Sequence, residues 1–224
     1  MAEPIDEAVA GWRGIQGAAW AQRNPKGSDD TDVSWRIRFG HSKRVWLRTF
    51  LRGAVPPDST WLDVGCSAGA HMRAMNEIGL RCWAGCDLNH PAMDGVPAAV
   101  VADVRHLPYA DASFDGVTCS GTLMHTGGEG HLMQALREMA RVARSYMLFV
   151  ELWQPQPMKV DFKGLMPGAW VYPWERAIPS ILGFDWTMER CRLVRSCGRL
   201  QRTQPLMGVL MLRSQGQGEF GMWE

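Results

Sequence analysis

From residue 60 onward, short apolar runs alternate with amphipathic stretches, and few folds accept that alternation. Thr60–Val64 (TWLDV), Arg81–Cys86 (RCWAGC), Ala98–Ala102 (AAVVA), Phe114–Cys119 (FDGVTC) and Ser145–Glu151 (SYMLFVE) have strand length. Gly69–Gly79 and Gly130–Arg144 read as helices between them. In the second helix Leu132, Leu136, Met139, Ala140 and Ala143 fall on one face. Strands that are apolar throughout are covered on both faces, which predicts a parallel sheet with helices on each side. Further strand signals stand at Cys191–Arg195 and Leu206–Leu212.

The flanks divide the chain. Residues 31–53 place Val45, Trp46, Phe50 and Leu51 at helical intervals, and Gly53 with Pro56-Pro57 stops that helix. Residues 1–55 are expected to form a helical lid and 56–152 the core. Residues 153–186 are rich in Pro, Gly and Trp, and read as an insertion over the carboxyl edge of the sheet that caps an acceptor. Residues 187–224 complete the sheet and end in a loose tail. A net charge of +1 makes no case for a polyanionic partner, so neither nucleic acid nor membrane is expected. No window has bilayer length, and the N-terminus lacks the basic start and apolar run of a secretory signal. The six cysteines make no C-x-x-C pair and are expected as free thiols in a reducing cytoplasm. Cys82 and Cys86 lack clustered partners, so no metal is expected.

The stretch WLDVGCSAGAHM, residues 61–72, admits two chemistries. Gly65-Cys66-Ser67-Ala68-Gly69 spells the G-x-S-x-G elbow of serine hydrolases, with Ser67 as nucleophile. Ser67, however, follows the first strand of the sheet, and the last histidine, His131, precedes the fifth strand. No late general base remains for an elbow. The alternative is a cofactor turn, where Gly65, Ser67, Ala68 and Gly69 let a ligand approach the backbone at the carboxyl end of a strand. Positions 65, 67 and 70 are Gly, Ser and Ala, a poor match to the dinucleotide pattern. Asp87 ends the second strand 22 residues after Gly65, near the spacing of a ribose-binding acid. Asp103 ends the third strand, placed to accept from the amine of a base, with Val104 beside it to pack on the ring. Asp63 offers a carboxylate to an ammonium. Each Asp alone is equally a helix cap. In order, the three suit a cationic nucleoside ligand such as S-adenosylmethionine.

These motifs resemble those of class I S-adenosylmethionine-dependent methyltransferases. WLDVGCSAG resembles their first motif, GCDLN the second, and ADVRHLPYADASFDGVTCSGTLMH the third and fourth. Within that superfamily the chain is similar to the pseudaminic acid biosynthesis-associated methylases. GWRGIQGAAWAQRN resembles their N-terminal signature through Trp12, Gly14, Gly17, Trp20, Arg23 and Asn24. SGTLMHT, REMARVARSYMLFVELWQPQP and PMKVDFKG resemble later motifs of the group. Ser67 departs from the usual Gly, and Trp153 and Gln154 from the usual Tyr and Asn. The resemblance implies a Rossmann-like, mostly parallel seven-stranded sheet with its last strand antiparallel and helices on both faces. It implies a cofactor set of Trp20, Arg23, Asp63, Gly65, Cys66, Ser67, Gly69, Asp87, Leu88, Asp103, Val104 and Ser120.

Methyl transfer from a sulfonium needs alignment and exclusion of water. A hydroxyl or amine acceptor must also lose a proton. His125 is the candidate base or else a structural histidine, and Glu151 is a second base or else a cap. Trp20, Arg23 and Asn24 are expected at the cofactor mouth. Lys159, Lys163, Trp170, Tyr172 and Trp174 either line an acceptor pocket or cover the sheet. The resulting expectation is a monomeric or dimeric cytoplasmic enzyme that methylates a small molecule, a sugar or nucleotide-sugar among the options. The alternatives are methylation of a nucleic acid or protein, and cofactor binding without turnover.

Overall fold

A computed structural model of the chain describes residues 4–23, 35–36, 40–160, 169–194 and 206–215. Asn24, Lys163 and Cys197 lie outside the described residues. Two helices, α1 (Pro4–Arg13) and α2 (Ile15–Arg23), form a hairpin, and α3 (Lys43–Leu51) follows. The Ser42 side chain caps α3 by accepting from the Val45 N–H. The alternating region gives β1 (Thr60–Val64), α4 (Ala70–Asn76), β2 (Arg81–Asp87), a one-turn α5 (His90–Met93), β3 (Ala99–Val101) and β4 (Phe114–Ser120). A 3-10 turn (Leu123–His125), α6 (Glu129–Val142) and β5 (Ala143–Trp153) come next.

The main sheet runs β3-β2-β1-β4-β5-β9-β8, with β8 at Trp186–Val194 and β9 at Leu206–Ser214. The pairs from β3 through β5 are parallel, and β9 is antiparallel to both of its neighbours. This is the expected Rossmann-like sheet of seven strands with the last antiparallel.

Alternation along each strand sorts the core onto two faces. Met147 and Phe149 of β5 join Leu132, Leu136 and Met139 of α6 on one face. Tyr146, Leu148 and Val150 join Leu47 and Phe50 of α3, and Met72 and Met75 of α4, on the other. Trp61 of β1 stacks on Tyr146, and the close approach of Gly116 makes room for its ring. Asp63 shares the Trp61 face of β1. A carboxylate is thereby driven beneath the sheet's surface between α3 and α4.

Residues 153–186 depart from the expected irregular insertion. Met158–Val160 (β6) and Ala169–Val171 (β7) form a two-stranded sheet, and Trp174–Leu182 is a helix, α7, with Pro179 inside it. Ala169 and Val171 pack on Met124 of the 3-10 turn, so this small sheet does lie at the carboxyl edge. Helix α7 instead joins the core beside α6, with Trp174 and Ile178 fully buried. No helix among the described residues is long and apolar enough to cross a membrane.

Candidate cofactor site

The β1–α4 turn is built by its backbone. Gly65, Ser67 and Gly69 all have positive φ, at 75°, 44° and 73°. At Gly65 a Cβ would lie 2.1 Å from Thr122 Oγ1, so only glycine lets the β4 loop close over the turn. Ser67 holds a left-handed conformation that costs an L-residue about 1 kcal/mol or more. Gly65 and Cys66 donate their N–H groups to the Cys86 carbonyl at 2.7 and 3.0 Å, which ties the turn to the end of β2.

Asp87 organises that end. One carboxylate oxygen accepts from the Ser67 N–H and the other from the Asn89 N–H, at 2.9 and 2.8 Å. Burial still raises its pKa, against the pull of these amides. Leu88, beside it, is half-buried. Cys66 turns its thiol inward against Gly85, so it can meet a ligand through its backbone. Burial pushes that thiol far up, as it does for Cys82 and Cys86.

Beneath the turn, Asp63 is 1% exposed, and among the described residues neither carboxylate oxygen has a hydrogen-bond partner. Burial raises it to about 7, opposed by the charge of Lys43 and reinforced by that of Asp87. Lys43, itself buried, donates to Ser120 Oγ at 2.8 Å and lies over the Trp35 ring. His71 of α4 is buried beside it, bonded to Thr118 Oγ1 at 2.8 Å. Burial and Lys43 hold that imidazole neutral.

A cover lies over the turn. Trp20 Nε1 donates to Ser67 Oγ at 3.2 Å. The buried Asn89 side chain donates to the Gly17 carbonyl at 2.8 Å. A Cβ on Gly17 would stand 1.9 Å from the Trp12 carbonyl oxygen and 3.1 Å from the Asn89 side chain. Trp12 meets Trp20 edge-on at 5.9 Å and His125 at 4.9 Å. The α1–α2 hairpin thus touches the ends of β1 and β2 and the loop after β4. Arg23 closes α2, and its side chain lies outside the described ones.

The expectations for Asp103 and for a catalytic Glu151 change here. Asp103 does not stand open to a base. Arg105 grips its carboxylate from both guanidinium and backbone, at 2.8 and 3.0 Å, and holds it below its ordinary value. Val104 next to it is half-buried against the core. Glu151 is fully buried, so it cannot reach an acceptor in this arrangement. Its Oε1 accepts from the Thr122 and Leu123 N–H groups at 2.8 and 3.1 Å and anchors the loop that carries His125. Trp174 is core, its indole donating to the Leu152 carbonyl at 2.6 Å. His125 stays at the mouth, but burial lowers it to about 4, so it is a neutral imidazole. Among the described residues, Ser67 as a hydrolase nucleophile finds an indole donor at its hydroxyl, and an indole takes no proton.

Lys43, His71, Thr118, Asn89 and Thr122 belong to the site although none was a candidate residue in the sequence. Asn89 and Thr122 stand within quoted motifs, where position at a strand end was the available signal. Lys43 and His71 sit in helices and had none.

The sheet order, the turn and the strand-end acids define the class I methyltransferase fold. Residues 62–149 match the family model described as a methyltransferase domain. Among curated proteins, the human "Probable tRNA methyltransferase 9B" is 27% identical over 169 residues, 72% of this chain and 35% of that protein. The chain spans about a third of the length of this relative and of its mouse counterpart. The demethylmenaquinone methyltransferase of Roseiflexus sp. (strain RS-1) is 31% identical over 163 residues, 63% of this chain and 62% of that one. Among solved structures, the Burkholderia thailandensis 1,6-didemethyltoxoflavin-N1-methyltransferase with bound 1,6-didemethyltoxoflavin and S-adenosylhomocysteine superposes with a TM-score of 0.69. It is 15% identical and covers 96% of this chain and 91% of its own.

Proposed function

We propose that the chain binds S-adenosylmethionine across the carboxyl ends of β1 and β2 and transfers its methyl group to a small-molecule acceptor. One observation carries the reading: Asp87 bridges the Ser67 and Asn89 amides directly beside a buried Asp63 whose oxygens lack partners among the described residues. The positive charge of the cofactor would join that of Lys43 in favouring the ionised form of the buried Asp63, and ribose hydroxyls would donate to the remaining lone pairs of Asp87. Residues Gly65 to Gly69 let the ligand lie against backbone, and Leu88 and Val104 offer apolar faces to the adenine. Bound there, the cofactor supplies a methyl carbon made electrophilic by its sulfonium.

The chain's own contribution is alignment and exclusion of water. Trp12 and Trp20 cover the mouth, and Glu151 fixes the loop that presents His125. His125 offers a neutral nitrogen to an acceptor proton, but a pKa near 4 makes it a weak base while Trp12 covers it. Positioning therefore carries more of the reaction than proton removal.

A small acceptor is supported by the fold's likeness to a toxoflavin-precursor enzyme over nearly the whole chain and by the quinone-named relative. The sugar acceptor that the pseudaminic-acid resemblance implies gains no support from these names. A second reading takes tRNA as the acceptor, and it displaces the expectation that nucleic acid is excluded, since the human relative is named for tRNA. Binding of tRNA with a steep loss of affinity as salt rises would favour it.

Calorimetric titration with S-adenosylmethionine and S-adenosylhomocysteine tests the cofactor reading. Both are expected to bind. The Asp87→Ala variant should lose at least tenfold in affinity, about 1.4 kcal/mol. A folded wild-type protein that binds neither would overturn it.

A further inference from the structure

A second concavity lies away from the cofactor turn, between α6, α7 and β7, with a volume of about 380 Å³. That is within the range of small-molecule sites, about 300–1,000 Å³. Strand alternation explains how it forms. Ala169 and Val171 point to the 3-10 turn, so Trp170 and Tyr172 point the other way and line the cleft. Their rings stack at 6.2 Å with an interplanar angle of 26°, and because Tyr172 is buried behind it, Trp170 offers the flat wall. Leu132 and Ile181 form an apolar floor. The rim carries charges of opposite sign on opposite walls, Glu129 from α6 and Arg176 from α7.

Each feature selects for shape or for chemistry. A flat aromatic wall gains most from a planar ring laid against it. An apolar floor excludes a sugar, whose hydroxyls would be left without partners. The acid accepts from a ring N–H, and the guanidinium donates to a ring carbonyl or nitrogen. We propose that this cleft is a binding site for a flat heteroaromatic molecule that carries a hydrogen-bond donor and an acceptor on its edge. The site does not depend on the cofactor reading, because none of its residues belongs to the β1–α4 turn.

Saturation-transfer NMR with quinolin-4-one tests it, with cyclohexanol as the non-planar control and uridine as the nucleobase probe. Quinolin-4-one should receive saturation from the protein and cyclohexanol should not. Ser180→Trp, a rim substitution on an exposed position of α7, should weaken quinolin-4-one at least tenfold. The thermal midpoint and S-adenosylhomocysteine affinity of that variant should stay unchanged. Ala177→Phe provides a second way to fill the cleft. Uridine binding that Ser180→Trp also abolishes would extend the site to the base of a nucleotide. Saturation of cyclohexanol equal to that of quinolin-4-one would overturn the proposal. So would the absence of transfer to quinolin-4-one, or binding that neither variant weakens.

Discussion

Asp63 is a charge placed where water cannot reach it. Its carboxyl is raised from 3.8 to about 7, chiefly by burial and further by Asp87, against the charge of Lys43. The folded chain therefore holds a proton that the unfolded chain gives up near pH 4. Stability from this group is fully present below that value and is lost as pH rises through about 7. Asp87 and Glu151 are raised too and act in the same direction. Asp103, Asp115 and Glu138 are lowered, and their effects fall below about pH 4.5. His71 and His125, held neutral in the folded chain, act in the opposite direction below about pH 6.5, so Asp63 shows by difference: the urea midpoint of Asp63→Asn relative to the wild type should rise between pH 5 and pH 8. A variant whose midpoint keeps the wild-type slope would exclude Asp63 as the source. At this scale the strand-end acids were legible, because position after a short apolar run announces them. Lys43 and His71 were not, since a lone charge in a helix reads as solvated. Asp103 misled because its partner, Arg105, is only two residues away and satisfies it locally.

The N-terminal hairpin is held by contacts that each involve few atoms: an indole hydrogen bond, an amide hydrogen bond and an edge-on ring pair. Ring pairs of this kind contribute about 0.5–1.5 kcal/mol beyond area. Trp12→Ala should therefore loosen the cover without unfolding the sheet. Amide exchange across residues 11–22 should accelerate, while the thermal midpoint falls by no more than about 4 °C. Equal protection in the variant and the wild type would show that Trp12 does not hold the hairpin. Element by element, the five parallel strands were legible because each is short, apolar and bounded. Helix α7 was hidden by Pro173 and Pro179, since proline inside a segment argues against helix. The packing of Trp174 and Ile178 overrides that local preference. Strands β6 and β7 have three residues each, too few for a period to show.

Across the whole molecule, β9 is the seam. It lies between β5 and β8 and faces both cores, with Leu210 and Leu212 toward α6 and Val209 and Met211 toward α3. Leu212→Ala should cost about 2–5 kcal/mol and lower the thermal midpoint by roughly 5–15 °C. Phe184, fully exposed, should tolerate Ser within about 0.5 kcal/mol. Calorimetric melts of the two variants give the comparison, and similar midpoints would refute this placement of the seam. The bond from Asn89 to the Gly17 carbonyl has a consequence in time as well as in space. A ligand bound beneath the hairpin as proposed would leave by opening that bond and the Trp20 contact. Each turnover of the proposed reaction then waits on one such opening. The pace of the cycle would thus be set by helix residues that touch no reacting atom, and it would slow as the solvent thickens.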